Sequence, residues 1–184
     1  MQQSSPAACP RCTGSPLDVA QYAYLLGQYL GDGHITKSYS THWTCLFPQH
    51  GPGRKHTSTI TLEDWQQEIV DDHPGPFLRG LIHSDGCRMT NWTRRRAAGE
   101  LKRYEYPRRE PSATSELGTS ASVGLPADVA EGSFFTNKSL DILALCCTAL
   151  DRLGIAHRRP HWDQVSVARR EAVAALDVWV GSKT

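Results

Sequence analysis

The sequence predicts an α+β protein, and three observations carry that expectation. Apolar residues recur at i, i+3, i+4 and i+7 in separate short stretches, the spacing of amphipathic helices. From Cys87 onward the pattern changes to β-formers interleaved with cations, as in CRMTNWT and KRYEYPR. Helical patterns then return near the end, closed by glycines at Gly154 and Gly181. With 184 residues, 39% hydrophobic composition and five Trp, the chain has material for one sizeable core or two small subdomains.

In chain order, residues 1–14 read as a polar leader carrying Cys9-Pro-Arg-Cys12. Ser15 before Pro16, with Asp18 three residues on, predicts a helix start. That helix carries Ala23, Leu26, Gly27 and Leu30 on one face and stops at Asp32-Gly33, where a left-handed glycine is the expected terminator. Residues 34–60 are rich in Gly, Pro, His and Thr, with few strand signals. Thr61, followed by Asp64, predicts a cap before LEDWQQEIVDD. Pro74 and Pro76 interrupt, and a second short helix with Phe77, Gly80, Leu81 and Ser84 on one face stops at Asp85-Gly86. Two strands are then expected in 87–93 and 102–108, separated by a turn at RRRAAGE. Residues 110–133 contain no aromatic and are dominated by Ser, Ala, Gly and Pro, the composition of an inserted linker. A helix over Ser139–Leu153, a strand at QVSVAR and a last helix REAVAALDVWV complete an order of β-β-(insert)-α-β-α after Asp85.

The net charge of +1 hides a segregation. Residues 88–109 hold eight basic side chains, whereas residues 63–72 hold five acids and no base. Arg88, Arg94, Arg95, Arg96, Lys102, Arg103 and Arg108 are therefore candidates for neutralising phosphates, the alternative being a solvated basic loop.

The most informative feature is a pair of segments, LLGQYLGDG at 25–33 and LRGLIHSDG at 78–86. Each has Leu first, Gly third, a small residue seventh and then Asp-Gly. A glycine on the apolar face, Gly27 or Gly80, lets two helices approach closely because nothing projects from its backbone. If the helices pack side by side, Asp32 and Asp85 meet at their C-terminal ends. Two carboxylates there repel each other and the helix dipoles, so they need a cation or a shared proton. Oxygen-only ligation favours Mg²⁺, which would activate water and stabilise the leaving oxygen of a phosphodiester.

Both segments resemble the motif of the LAGLIDADG, or DOD-type, homing endonucleases, and the order of elements after Asp85 is similar too. The chain is also similar to actinobacterial homing-endonuclease-like regulators. The resemblance implies motif helices packed at a pseudo-two-fold, an antiparallel saddle sheet in the major groove of double-stranded DNA, and Asp32 and Asp85 as catalytic ligands of a divalent metal. It also implies a lysine near the metal, for which Lys102 stands first by position and Lys138 second. The basic strands would supply the groove contacts.

On that frame residues 15–76 form a shortened first repeat and 77–184 a fuller second one, because Asp32 and Asp85 are only 53 residues apart. A monomer with two pseudo-repeats and a homodimer both remain open. So does a reading in which the fold binds specific DNA as a regulator and has lost cleavage. Two ordinary core helices with Asp-Gly turns are the third alternative.

Cys9 and Cys12 would complete a structural Zn²⁺ site only with two further ligands, for which Cys45 and His50 or His56 are available; an incidental thiol pair is the other reading. His83, beside the second acid, is a candidate for proton transfer or a plain polar helix residue. Residues 51–53 (GPG) lack the Lys-Ser/Thr of a phosphate-binding loop. The first dozen residues lack the basic start and apolar run of a secretory signal, and no apolar stretch approaches the ~20 residues of a membrane span. A soluble cytoplasmic protein with no membrane partner is expected.

Overall fold

The first long helix begins at Asp18, whose carboxylate accepts from Gln21 N at 3.0 Å and so satisfies one orphan donor of the first turn. It runs from Val19 to Gly31 (α1), three residues later than a Ser15 cap would place it. The computed structural model describes residues 11, 14–33, 43–50, 55–91, 96–97, 100–101 and 130–181. Within them α1 is followed by α2 (Trp43–Leu46), a 3₁₀ turn (Lys55–Thr57), α3 (Asp64–Asp72) and α4 (Pro74–Asp85). Then come β1 (Gly86–Asn91), β2 (Arg96–Ala97), β3 (Glu100–Leu101), β4 (Ala130–Thr136), α5 (Leu140–Arg152), β5 (Arg158–His161), β6 (Gln164–Val167) and α6 (Arg170–Val180).

The architecture is α+β. A four-stranded antiparallel sheet has the order β1-β4-β6-β5, and β2 and β3 form a separate small hairpin. Register decides which face is which. Gly86, Phe135 and Val165 lie opposite one another, as do Arg88, Ser133 and Val167, so these two rows share a face. Phe135, Val165 and Val167 are buried, so this is the face that α4, α5 and α6 cover. The row Cys87, Phe134, Ser166 and Arg158 crosses all four strands on the opposite face.

The core is continuous from α1 and α4 through α5 to the sheet: Leu26, Leu30, Phe77, Leu78, Leu81, Leu143, Leu150 and Leu176 are at most 1% exposed. The first half has no strand among its described residues. A buried amide network ties it together instead. Gln66, 0% exposed, donates from Nε2 to the Tyr22 hydroxyl at 2.7 Å and accepts at Oε1 from Glu63 N at 3.0 Å. Tyr22 in turn donates to the Leu46 carbonyl, and Gln49 donates to Gln66 and to Thr61 O. A buried amide is stable only when its donors and acceptors are matched, and this one stitches α1, α2 and α3 together. Ile60 N donates to Asp141 at 2.8 Å, joining the segment to α5.

Several expectations change. The α3 cap is Glu63, two residues after Thr61, because Gln66 folds back onto the Glu63 backbone. α4 starts at Pro74, since a proline at the first helical position loses no hydrogen bond there. The glycines after Asp32 and Asp85 are not left-handed; Gly86 has φ −79°, and positive φ occurs at Gly154 and Gly181, which close α5 and α6. Glycine is needed after the acids for space, because a Cβ on Gly86 would stand 2.7 Å from Ile82 Cα. RRRAAGE is not a plain turn, for its residues form β2 and the start of β3. Residues 130–133, expected as the end of the linker, are the first half of β4. The expected strand at 102–108 and the rest of the linker lie outside the described residues.

Candidate active site

α1 and α4 cross glycine to glycine. A Cβ on Gly27 would lie 2.8 Å from Leu81 N and 3.0 Å from Gly80 Cα, and one on Gly80 would lie 2.9 Å from Gln28 N and 3.0 Å from Gly27 Cα. The contact is reciprocal, backbone against backbone, and four residues on, Gly31 leaves room for the Ser84 side chain. Equal spacing on the two helices therefore brings the next residues, Asp32 and Asp85, to one point.

There the Asp85 carboxyl comes within interaction range of Asp32. Asp85 is raised above the usual carboxylate range, first by burial and then by its hydrogen bond to, and the charge of, Asp32. Asn137 and Lys55 oppose that rise. Asn137 Nδ2 donates to Asp85 Oδ2 at 2.9 Å.

The acids line a cleft of about 430 Å³ together with Gly31, Gly33, Lys55, His56, Thr136, Asn137, Lys138 and Asp163. Lys55 was not singled out from sequence. It sits on the 3₁₀ turn with Nζ 4.1 Å from the centre of the Tyr29 ring. Its ammonium is buried with no hydrogen-bond partner among the described residues. Burial lowers its pKa to about 8, while the charges of Asp85 and Asp32 act to raise it. A lone Lys in a Gly-Pro-Gly-Arg-Lys-His context carries no local signal of this; only the cation–π platform and the acids across the cleft reveal it.

Of the two lysines named from sequence, Lys138 lines the cleft and Lys102 lies outside the described residues. Arg94, Arg95, Arg103 and Arg108 also lie outside them, and of Arg96 only the strand position in β2 is described. Arg88 is placed differently from the groove-contact expectation. Register puts it on the helix-covered face, and it donates to Asp177 of α6 at 2.7 Å. The sequence missed a second cationic surface. Every residue of edge strand β5 is exposed, and it presents Arg158, Arg159 and His161, followed by Trp162 at 63% exposure. Arg159 donates to the Trp162 carbonyl, which shapes the turn. Pro160 in this strand blocks sheet extension, since it offers no N–H to another strand.

His83 turns away from the acids. Its Nε2 faces the Val180 carbonyl at 3.1 Å, so that nitrogen carries the proton and Nδ1 accepts from the Tyr24 hydroxyl at 3.2 Å. It locks α1, α4 and α6 together. Among the zinc candidates, Cys9 and Cys12 are outside the described residues. Cys45 is half-buried on α2, and Arg11 donates to its carbonyl at 3.4 Å while stacking over Trp65, which brings the leader's end to this segment. His50 faces the Phe47 carbonyl with Nδ1 at 3.2 Å, which leaves Nε2 for another partner.

Among the described residues no three His, Cys, Asp or Glu are gathered into a metal-binding group. Mg²⁺ does not need three: one or two carboxylates, with water and substrate phosphate, suffice. The Asp32–Asp85 pair, two carboxyl groups lining one cleft, fits that donor chemistry. No helix among the described residues is long and apolar enough to cross a membrane. The chain matches no protein-family model, no curated protein and no solved structure.

Proposed function

We propose that this chain is a LAGLIDADG-type endonuclease that hydrolyses phosphodiesters of duplex DNA with a divalent metal. α1 and α4 are the paired motif helices at a pseudo-two-fold, and the four-stranded sheet is a saddle for the groove. The observation that carries the reading is the placement of Asp32 and Asp85 by the reciprocal Gly27–Gly80 crossing, in a cleft rimmed by Lys55 and Lys138.

Asp32 and Asp85 would hold Mg²⁺, which supplies Lewis acidity and a water of lowered pKa when bound. Lys55 faces the acids from the opposite wall, where a scissile phosphate would bring negative charge, and Lys138 adds a second cation on the rim. The ammonium of Lys55 is already desolvated, so its attraction for phosphate is weakly screened. Phosphates of the flanking duplex would meet Arg158, Arg159 and His161 on β5, with the basic segment 94–108 completing the surface.

A second reading is favoured by one observation. The described part of the first half contains no strand, and the four-stranded sheet of the second half alone would grip a shorter site than two saddles. A DNA-binding regulator without cleavage would need no more than that. Incubation with a randomised duplex library in Mg²⁺, sequencing all new ends, separates the two. Ends clustered on one motif and absent from the Asp32→Asn/Asp85→Asn double variant support the endonuclease. Retained library members with no ends above that variant's background support the regulator. No retention at any salt concentration overturns both.

A further inference from the structure

We propose, resting on the reading of Asp32 and Asp85 as a divalent-cation centre, that Asn137 is its positioning residue: its amide fixes the rotation of the Asp85 carboxylate and so sets the oxygen geometry offered to the cation.

The amide has only one orientation consistent with its neighbours. Ser139 N–H, at the start of α5, is a donor and lies 2.8 Å from Asn137 Oδ1, so Oδ1 must face it. Nδ2 then faces Asp85 Oδ2 at 2.9 Å and donates. Asn137 itself is anchored at a third point, because its backbone N–H donates to the Asp163 carbonyl, in the turn between β5 and β6, at 2.9 Å. The side chain is thus tied to the first turn of α5, and the backbone to the β5–β6 hairpin. Both are elements of the second half, whereas the carboxylate it orients stands at the end of α4.

Such an arrangement serves a cation centre better than it serves packing. Ser139 already caps α5 with its own hydroxyl, accepting from Ile142 N, so the helix has a start without the amide. What Asn137 adds is one directed donor on one oxygen of Asp85. A carboxylate left to rotate offers a cation a spread of geometries; one pinned by a neighbouring donor offers a single geometry, and loss of such partners typically weakens metal binding by about 10–100-fold.

The test is Mn²⁺ binding to the full chain without DNA, followed by electron paramagnetic resonance and calorimetry. Asn137→Ala and Asn137→Asp are compared with the unaltered chain, and thermal unfolding of each metal-free protein reports that it is folded. Asn137→Asp keeps the acceptor for Ser139 N–H and the side-chain volume, so it is expected to fold. It exchanges the donor for an oxygen of a third carboxylate. The expected result is about tenfold weaker Mn²⁺ binding by Asn137→Ala and tighter binding by Asn137→Asp. Equal affinity of all three proteins, or the same weakening in both variants, would overturn the positioning role. If the unaltered chain binds no Mn²⁺, the cation centre itself fails, and with it the proposed reaction.

Discussion

Asp85 and Lys55 are both held away from their ordinary protonation behaviour, and the two shifts act on different parts of the pH scale. Asp85 binds its proton more tightly in the folded chain than in the unfolded one. Stability of the metal-free protein therefore falls as pH rises from about 4, the unfolded carboxylate value, through the raised Asp85 value, and then levels off. Lys55 shifts from 10.5 to about 8, so the folded chain releases its proton first and stability rises between those two values. Equilibrium denaturant titrations across pH are expected to trace both changes. Lys55→Met should remove the alkaline rise and leave the acid-side fall; a rise that survives the substitution would assign it to another group. Asp85→Asn should remove the acid-side fall and raise the melting temperature of the metal-free chain at neutral pH.

The two motif helices depend on close approach more than on buried side-chain volume. Ala at position 80 would place a methyl 2.9 Å from Gln28 N and 3.0 Å from Gly27 Cα, and no side chain can swing aside to relieve it because these atoms are backbone. The helices would have to separate, opening the core around Leu26 and Leu81. Gly80→Ala is expected to cost about 3 kcal/mol by chemical denaturation, at the upper end of ordinary overpacking. Gly154→Ala is the matched comparison. Its Cβ would meet nothing within 4 Å, but its φ of +66° is left-handed, so only a backbone cost of about 1 kcal/mol is expected. Reversal of that ranking would mean that α1 and α4 are not in contact through their glycines. Separated helices would also part Asp32 from Asp85, so Gly80→Ala should lose metal binding in excess of its loss of stability.

The molecule as a whole is asymmetric. Its second half has a four-stranded sheet, whereas its described first half is held by the Gln66 amide network and by contacts to α5, including an Arg152–Asp71 ion pair at 2.7 Å. Cationic side chains accordingly gather on the second half's sheet edge at β5. Duplex DNA binding is expected to weaken with salt, and Arg158→Ala/Arg159→Ala should lower the slope of log affinity against log salt by about one to two units while Arg88→Ala, whose partner is Asp177, leaves it unchanged. Filter binding at several salt concentrations measures this. An unchanged slope in the β5 variant would move the DNA surface elsewhere on the chain.

Local pattern was enough for the main helices, the two Asp-Gly helix ends and the equivalence of Gly27 with Gly80, but not for β5 or the start of β4. The former follow from periodicity and spacing, which each segment carries within itself. The meeting of Asp32 with Asp85 was legible for the same reason: equal offsets from two facing glycines must coincide. Lys55, Asn137 and Arg88 were different. Lys55 takes its role from a ring at Tyr29 and acids on two helices, Asn137 from a helix start and a hairpin turn that enclose it, and Arg88 from a strand register that brings it to Asp177. Each of these depends on partners far along the chain, so no window of sequence contains the information. The main helices were decided by their neighbours in sequence, whereas strands such as β5 and the residues that surround the acid pair were decided by their neighbours in space.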